Sequence, residues 1–217
     1  MSQGAYTEPT DLPETFPVFP LSQAVLFPRG ILPLNIFEPR YLNMIDDVMA
    51  GSGFIGMVQP TNRDKAHPEL AEVGTLGRVV HYSETDDGRY LISLEGICRF
   101  EIAEELPFDR PYREVRANWD PFIHDLMEPE EMGLPDRQNI LEELEAYLAR
   151  NNLRADWDSV DGVPMESLIN ALSSGCPFSS VEKQALLEAT DLHARADCLI
   201  ALFRMTSNGG EGKTWMN

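Results

Sequence analysis

Basic residues are what this sequence most lacks. Seventeen lysines and arginines stand against 36 aspartates and glutamates, a formal charge of −19 at pH 7. Such a chain repels phosphate backbones and anionic lipid headgroups, so neither nucleic acid nor a membrane surface is expected among its partners. Cysteine is scarcer still. Cys98, Cys176 and Cys198 are odd in number and show no C-x-x-C spacing, which argues against a disulfide framework and a zinc knuckle and fits a reducing, cytoplasmic setting. The opening MSQGAYTEPTDLPET has no basic stretch and no apolar core, so it is not read as a secretory signal. No apolar run reaches the ~18 residues of a membrane span.

Catalytic patterns are missing as well. His67, His81, His124 and His193 are scattered without the short spacings that converge on zinc, and no H-E-x-x-H occurs. His193 and Asp197 lie one helical turn apart and read as a surface pair. The tail GGEGKTW imitates a phosphate-binding loop, yet Ser207 stands where the first glycine belongs and three residues follow Thr214. There is no G-x-S-x-G, and SSGCPF around Cys176 reads as a turn between helices. Eight carboxylates lie between Asp125 and Glu145 (Asp125, Glu128, Glu130, Glu131, Asp136, Glu142, Glu143, Glu145) without a calcium-loop pattern, and they predict a solvated acidic face. No catalytic residue, metal or cofactor is expected.

What is present is apolar and broken by proline. Residues 1–15 are polar and predict a disordered arm. From Phe16 onward FPVFPL and AVLFPRGILPLNIF predict short strands at edges or corners, because Pro17, Pro20, Pro28 and Pro33 cannot donate to a ladder. Arg29-Gly30 supplies a turn between two of them. Within ILPLNIFEPRY, Ile31, Leu34 and Ile36 or Phe37 are expected to be buried. Glu38 and Arg40 read as a local charge pair at a helix start, with Arg40 at least partly buried. Pro39 suits a first helical residue, and Tyr41, Leu42, Ile45, Val48 and Met49 share one face of the helix that follows.

After AGSG, FIGMVQP predicts a buried strand. GRVVHY and RYLISLEG then flank Asp87-Gly88, a tight hairpin turn in which Gly88 takes positive φ; Gly96 marks a bulge or bend, and REVRANW gives a further strand. Short strands, glycine corners and one inserted helix predict a small closed or nearly closed barrel. Beyond Pro121 the periodicity is helical. Ile140, Leu141, Leu144, Tyr147 and Leu148 form one stripe and Leu168, Ile169 and Leu172 another, while Ser179 and Glu182 have capping-box spacing before a last helical stretch through DLHARADCLIALFRM. Residues 207–217 are expected to be disordered. Proline-broken strands leave unpaired edges that can accept an extended peptide, with Met44, Met49 and Met57 as adaptable apolar contacts.

Two segments carry a family pattern. FPVFPLSQAVLFPRGILPLNIFEPRYLNMIDDVMAGSGFIGMVQP, followed by VGTLGRVVHYSETDDGRYLISLEGICRFEI, resembles the amino-terminal substrate-binding domain of Lon proteases, above all its stand-alone bacterial versions. Pro33, Phe37, Glu38, Pro39, Arg40, Tyr41, Gly88 and Gly96 are its motif residues here, with mainly structural roles. The resemblance implies an α+β fold: a PUA-like, LON-type pseudo-β-barrel with one inserted helix over residues 16–120, then an α-helical subdomain over 121–206. It also implies a non-catalytic module that binds unfolded or tagged polypeptide and acts in quality control or as an adaptor to an ATP-dependent protease; Met44 and Met57 are candidate peptide contacts on the residue pattern alone, where methionine is more often core filler. The Walker A motif and the Ser-Lys dyad of complete Lon proteases have no counterpart in this sequence. Two other classes stand beside this reading: an RNA-binding PUA-like module, disfavoured by the charge, and a metal-dependent hydrolase using the acidic segment.

Overall fold

The computed structural model describes residues 6–62, 68–128, 133–157, 160 and 162–205. The first five residues of the expected arm, His67, Glu130, Glu131 and the tail with its GGEGKTW stretch lie outside them.

The apolar, proline-broken first half of the chain forms one mixed sheet. Its strands are β1 (Thr15–Pro20), β2 (Ile31–Ile36), β3 (Phe54–Val58), β4 (Val73–Glu84), β5 (Tyr90–Glu105) and β6 (Arg113–Asn118), in the order β2-β5-β4-β3-β1-β6. β1 runs parallel to β3 and every other pair is antiparallel, including an additional pairing of β5 with β6. Backbone pairing thus runs from β5 through β4, β3, β1 and β6 back to β5. Among the described residues only β2 stands outside this circuit.

β5 can serve three neighbours because it is 16 residues long and bends. Gly77 pairs with Gly96 but Leu76 with Cys98, so Ile97 is an extra residue and the strand bulges there. Only glycine fits at position 96, since a Cβ would sit 2.1 Å from the Phe27 carbonyl oxygen. That close approach fastens the β1–β2 connection to the sheet: the Arg29 N–H donates to the Gly96 oxygen at 2.7 Å, and the Gly96 N–H donates to the Gly30 oxygen at 2.9 Å. At the β4–β5 tip, Thr85 and Arg89 close a five-residue loop in which Gly88 takes φ +76°. Within this tight connection Gly88 takes the positive φ expected of it, and Asp87 does not.

Helix α1 (Pro39–Ala50) begins at proline, whose missing N–H costs nothing there, and stops where the Gly53 N–H returns to the Val48 oxygen at 3.0 Å. It buries Tyr41, Met44, Ile45 and Val48 against Ile36, Ile55, Met57, Ile92 and Leu94. Each such side chain contributes about 1.5–3 kcal/mol of hydrophobic free energy. A 3-10 turn (Asp120–Leu126) leads into α2 (Arg137–Arg150), α3 (Met165–Gly175), α4 (Ser180–Glu188) and α5 (Leu192–Met205). The expected stripe residues Ile140, Leu144 and Tyr147 are buried, and the Ser179–Glu182 capping box is formed. The last helical stretch is two helices, with Asp191 receiving the Ala194 N–H at 2.8 Å before α5. Sheet and helices share one core, in which Phe16, Leu76 and Phe100 join Ile140, Leu199 and Phe203.

Several burial expectations are corrected. Ile31 and Phe37 are exposed, at 58% and 62%. Strand alternation explains this: Ile36 faces α1, so Leu34 and Leu32 share its face and the odd positions point the other way. Met49, at 46%, lies off the buried stripe of α1. Val25, Leu26 and Phe27 are buried as expected but form no strand; side-chain and turn bonds hold this backbone instead, including the Thr75 hydroxyl on the Leu26 oxygen at 2.6 Å. The turn at Arg29-Gly30 puts Arg29, not Gly30, at φ +61°.

Candidate functional site

Two regions carry chemistry, and the first is a buried ionic seam between sheet and helices. Strand alternation read from sequence sets Arg99 opposite Cys98 and Phe100; the helices cover that side too, and Arg99 is 1% exposed. Asp125, expected on a solvated face, is buried with it at 5%. The Asp125 carboxylate accepts from the Arg99 Nε and Nη2 at 2.8 Å each and from its backbone N–H at 3.0 Å. Arg99 Nη1 donates to the Leu187 oxygen at 2.9 Å and to the Ala189 oxygen. Burial works against ionisation of Asp125, but the hydrogen bonds and charge of Arg99 outweigh it, so its carboxyl titrates below the usual 3.8.

Around this pair Arg29 donates to Glu166 and to the Asp125 carbonyl oxygen, which accounts for its positive φ being held in place. Arg195 donates to Asn170 Oδ1 at 2.8 Å and to the Leu186 oxygen at 3.1 Å, with Phe27 stacked beneath its guanidinium. A cleft of about 290 Å³ opens beside these side chains, next to His124 and His193. Arg99 pairs with Asp125 and Arg29 with Glu166, while Arg195 is held by neutral acceptors, an arrangement suited to a joint between sheet and helices. The cysteines add no nucleophile: burial pushes Cys98 up to about 12 and Cys176 to about 11. Among the described residues no three His, Cys, Asp or Glu side chains gather as metal ligands would.

The second region is the free edge of β2. The Gly30 oxygen points at β5, and backbone polar groups alternate along a strand, so Leu32, Leu34 and Ile36 also turn theirs to β5. Ile31, Pro33 and Asn35 turn theirs outward. Proline is tolerated in a strand when its donor-less nitrogen faces the open side, as here. Beside this edge lies an apolar row: Ile31, Pro33 and Phe37 on β2 and its extension, and Leu91, 42% exposed, opposite Asn35. A groove of about 350 Å³ continues from Ile31 and Leu32 between the β1–β2 connection and α3.

The motif residues build this edge more than they line it. Pro33 is in β2, Pro39 opens α1, and Tyr41 is buried edge-on against Phe19 at 4.5 Å. Arg40 is half-buried and paired with Glu38, Nη2 to Oε2 at 2.9 Å, its guanidinium over Tyr41. Met44 and Met57, expected as peptide contacts, are 0% and 2% exposed and belong to the α1 core. Their sulfurs fill space between helix and sheet and are out of reach of a ligand. The exposed residues that sequence reasoning missed are Ile31, Phe37 and Leu91; the parity of β2 counted back from Ile36 is the signal that would have found the first two.

The comparisons with known proteins agree with this architecture. The profile of the ATP-dependent protease La (LON) substrate-binding domain matches residues 15–204. The Lon protease of Desulfosudis oleivorans is 30% identical over 191 residues, 85% of this chain and 23% of that protein. Lon protease 2 of Myxococcus xanthus is 27% identical, over 88% of this chain and 24% of its own length. The chain therefore spans about a quarter of these relatives. Among solved structures, the Lon N-terminal domain protein of Xanthomonas campestris superposes with a TM-score of 0.60 at 22% identity, covering 86% of this chain and 97% of that one. The N-terminal domain of the Mycobacterium avium complex Lon protease gives 0.58 at 17%, covering 88% and 98%. With a matching profile over residues 15–204 and the same fold as two Lon N-terminal domains, the chain belongs to the Lon substrate-binding domain family.

Proposed function

We propose that this protein is a non-catalytic recognition module that captures unfolded or tagged polypeptide as an added strand along β2, and that it hands such clients to an ATP-dependent protease as an adaptor. The observation that carries the reading is the unpaired β2 edge with Ile31, Phe37 and Leu91 exposed beside it. Main-chain hydrogen bonds along such an edge give affinity with little demand on sequence, which suits a binder of unfolded chains. Family membership supports the same class of ligand, because the matching profile is that of the substrate-binding domain.

RNA fits less well. Four arginines of the sheet region are already paired with carboxylates: Arg89 with Asp87, Arg110 with Asp47, Arg113 with Glu105, and Arg116 with Glu14 and Glu104. A phosphate would have to displace them. A cytoplasmic setting agrees with three free thiols, two of them buried. Among the described residues no helix is long and apolar enough to cross a membrane.

The test is titration of the protein with a reduced, carboxymethylated model polypeptide, alongside an Asn35→Pro variant. Asn35 turns its N–H to the open side, so proline there removes an edge donor and leaves the β5 ladder intact. Binding weakened about tenfold with unfolding unchanged is the expected outcome, since each main-chain bond lost contributes about 0.5–1.5 kcal/mol. Equal binding by both proteins would sink the strand-addition reading.

A further inference from the structure

The last helix buries a charge. Arg195 stands on the inward stripe of α5 with Ala196, Leu199 and Phe203, and it is 2% exposed. Arginine is seldom buried without a carboxylate facing it. Arg99 has Asp125 and Arg29 has Glu166. Arg195 pairs with no carboxylate among the described residues; its Nε and Nη1 donate to the Leu186 oxygen and to Asn170 Oδ1, both neutral. Burial and the like charge of Arg99 push this guanidinium down to about 9, so it keeps its charge at neutral pH.

Its second terminal nitrogen is unused. Nη2 donates to none of the described residues, and because every buried side-chain nitrogen among them has a partner, Nη2 reaches open space. The space that Arg195 lines is the cleft of about 290 Å³ beside the seam. At its inner wall the guanidiniums of Arg29, Arg99 and Arg195 meet the carboxylates of Asp125 and Glu166, which leaves one positive charge over. The rim has the opposite sign. Glu128 is exposed there, and Asp191 stays ionised because the Ala194 N–H holds its carboxyl below the usual 3.8. An anion with one charge therefore balances the inner wall, whereas a second charge meets the acidic rim. Met127 and Leu192 supply apolar lining, and the volume lies at the low end of the roughly 300–1,000 Å³ usual for ligand sites, which restricts the occupant to a small group.

We propose that this cleft binds a single carboxylate on a short apolar stem, with the carboxylate on Arg195 Nη2 and the stem against Met127 and Leu192. Two sources present that chemistry: a free short-chain acid, and the C terminus of a polypeptide ending in an apolar residue. The site does not depend on strand addition at β2, and either can fail without the other.

The experiment follows the Arg195 Nε–H and the His193 amide by nitrogen–proton NMR of the full chain at constant ionic strength. The probes are isovalerate, N-acetyl-Ala-Ala-Leu and the amide of each. Both resonances should shift on saturation with an acid, and the amides should bind at least about tenfold more weakly, because they forfeit a charge-assisted bond. Tighter binding of isovalerate assigns the site to a free acid, and tighter binding of the peptide acid assigns it to a C terminus; both results uphold the carboxylate. Met127 is 64% exposed, so Met127→Glu adds a like charge at the rim without disturbing the core. It should weaken acid binding about tenfold, while Met127→Gln stays within about twofold of the original protein. Arg195→Gln should abolish binding, and if that variant does not fold the Met127 pair decides. Equal binding of acids and amides, equal binding by the two Met127 variants, or no saturation by either acid below about 10 mM would overturn the site.

Discussion

The seam between sheet and helices and the edge at β2 invert the usual distribution of polarity. At the seam Arg99, Asp125, Glu166 and Arg195 are buried; at the edge Ile31 and Phe37 stand in water. Buried ions are held because each has a partner, and removing one leaves the other stranded. Exposed apolar side chains contribute little to the fold and are available to a partner. The contrast shows that polarity alone does not mark function in this molecule: the charged cluster joins two parts of the chain, and the apolar row is left exposed beside the β2 edge.

The largest effect that would test the contrast belongs to the seam. Arg99→Met should destabilise the protein by about 3–5 kcal/mol in urea unfolding, because Asp125 is left as an unpaired buried charge. Adding Asp125→Leu should recover most of that loss. A cost below about 1 kcal/mol for the single substitution would show that the seam tolerates an unpaired charge.

A smaller effect is the pH dependence of the same pair. The Asp125 carboxyl is held below its ordinary 3.8 in the folded protein, so the unfolded chain takes up its proton first as pH falls. Its contribution is complete above 3.8 and is lost as pH drops through the lower folded value. The stability gap between the protein and Asp125→Asn should therefore narrow in acid and stay constant near neutrality; a gap that widened on acidification would reverse the assigned sign.

The smallest change in stability is expected at the edge. Ile31→Ser and Phe37→Ser should each alter unfolding by no more than about 0.5 kcal/mol, as surface substitutions do. Both should weaken binding of the carboxymethylated polypeptide. Loss of stability comparable to that of a core residue would mean that this row is packed in solution, and the comparison would fail.

Much of the architecture was legible in local pattern. The α1 stripe through Tyr41, Ile45 and Val48, the proline start at Pro39, the Ser179–Glu182 cap and the bend at Gly96 follow from period, sterics and capping chemistry, which act over a few residues. The site was less legible. Met44 and Met57 could be read either as peptide contacts or as core filler, because adaptability serves both, and which occurs depends on what packs above the strand. Asp125 looked solvated because its neighbours in sequence are acidic, whereas its partner Arg99 is 26 residues away.

Family, most helix and strand positions and the acidic balance could be read from the chain alone, since each is written in motif, period or composition. Only the tertiary structure decided which faces remain open. It joined Arg29 to Glu166 across 137 positions and, among the described residues, paired β2 with β5 alone. The physical reason is that a residue's chemistry is fixed by its own atoms, whereas its exposure and its partners depend on segments that meet only when the chain folds.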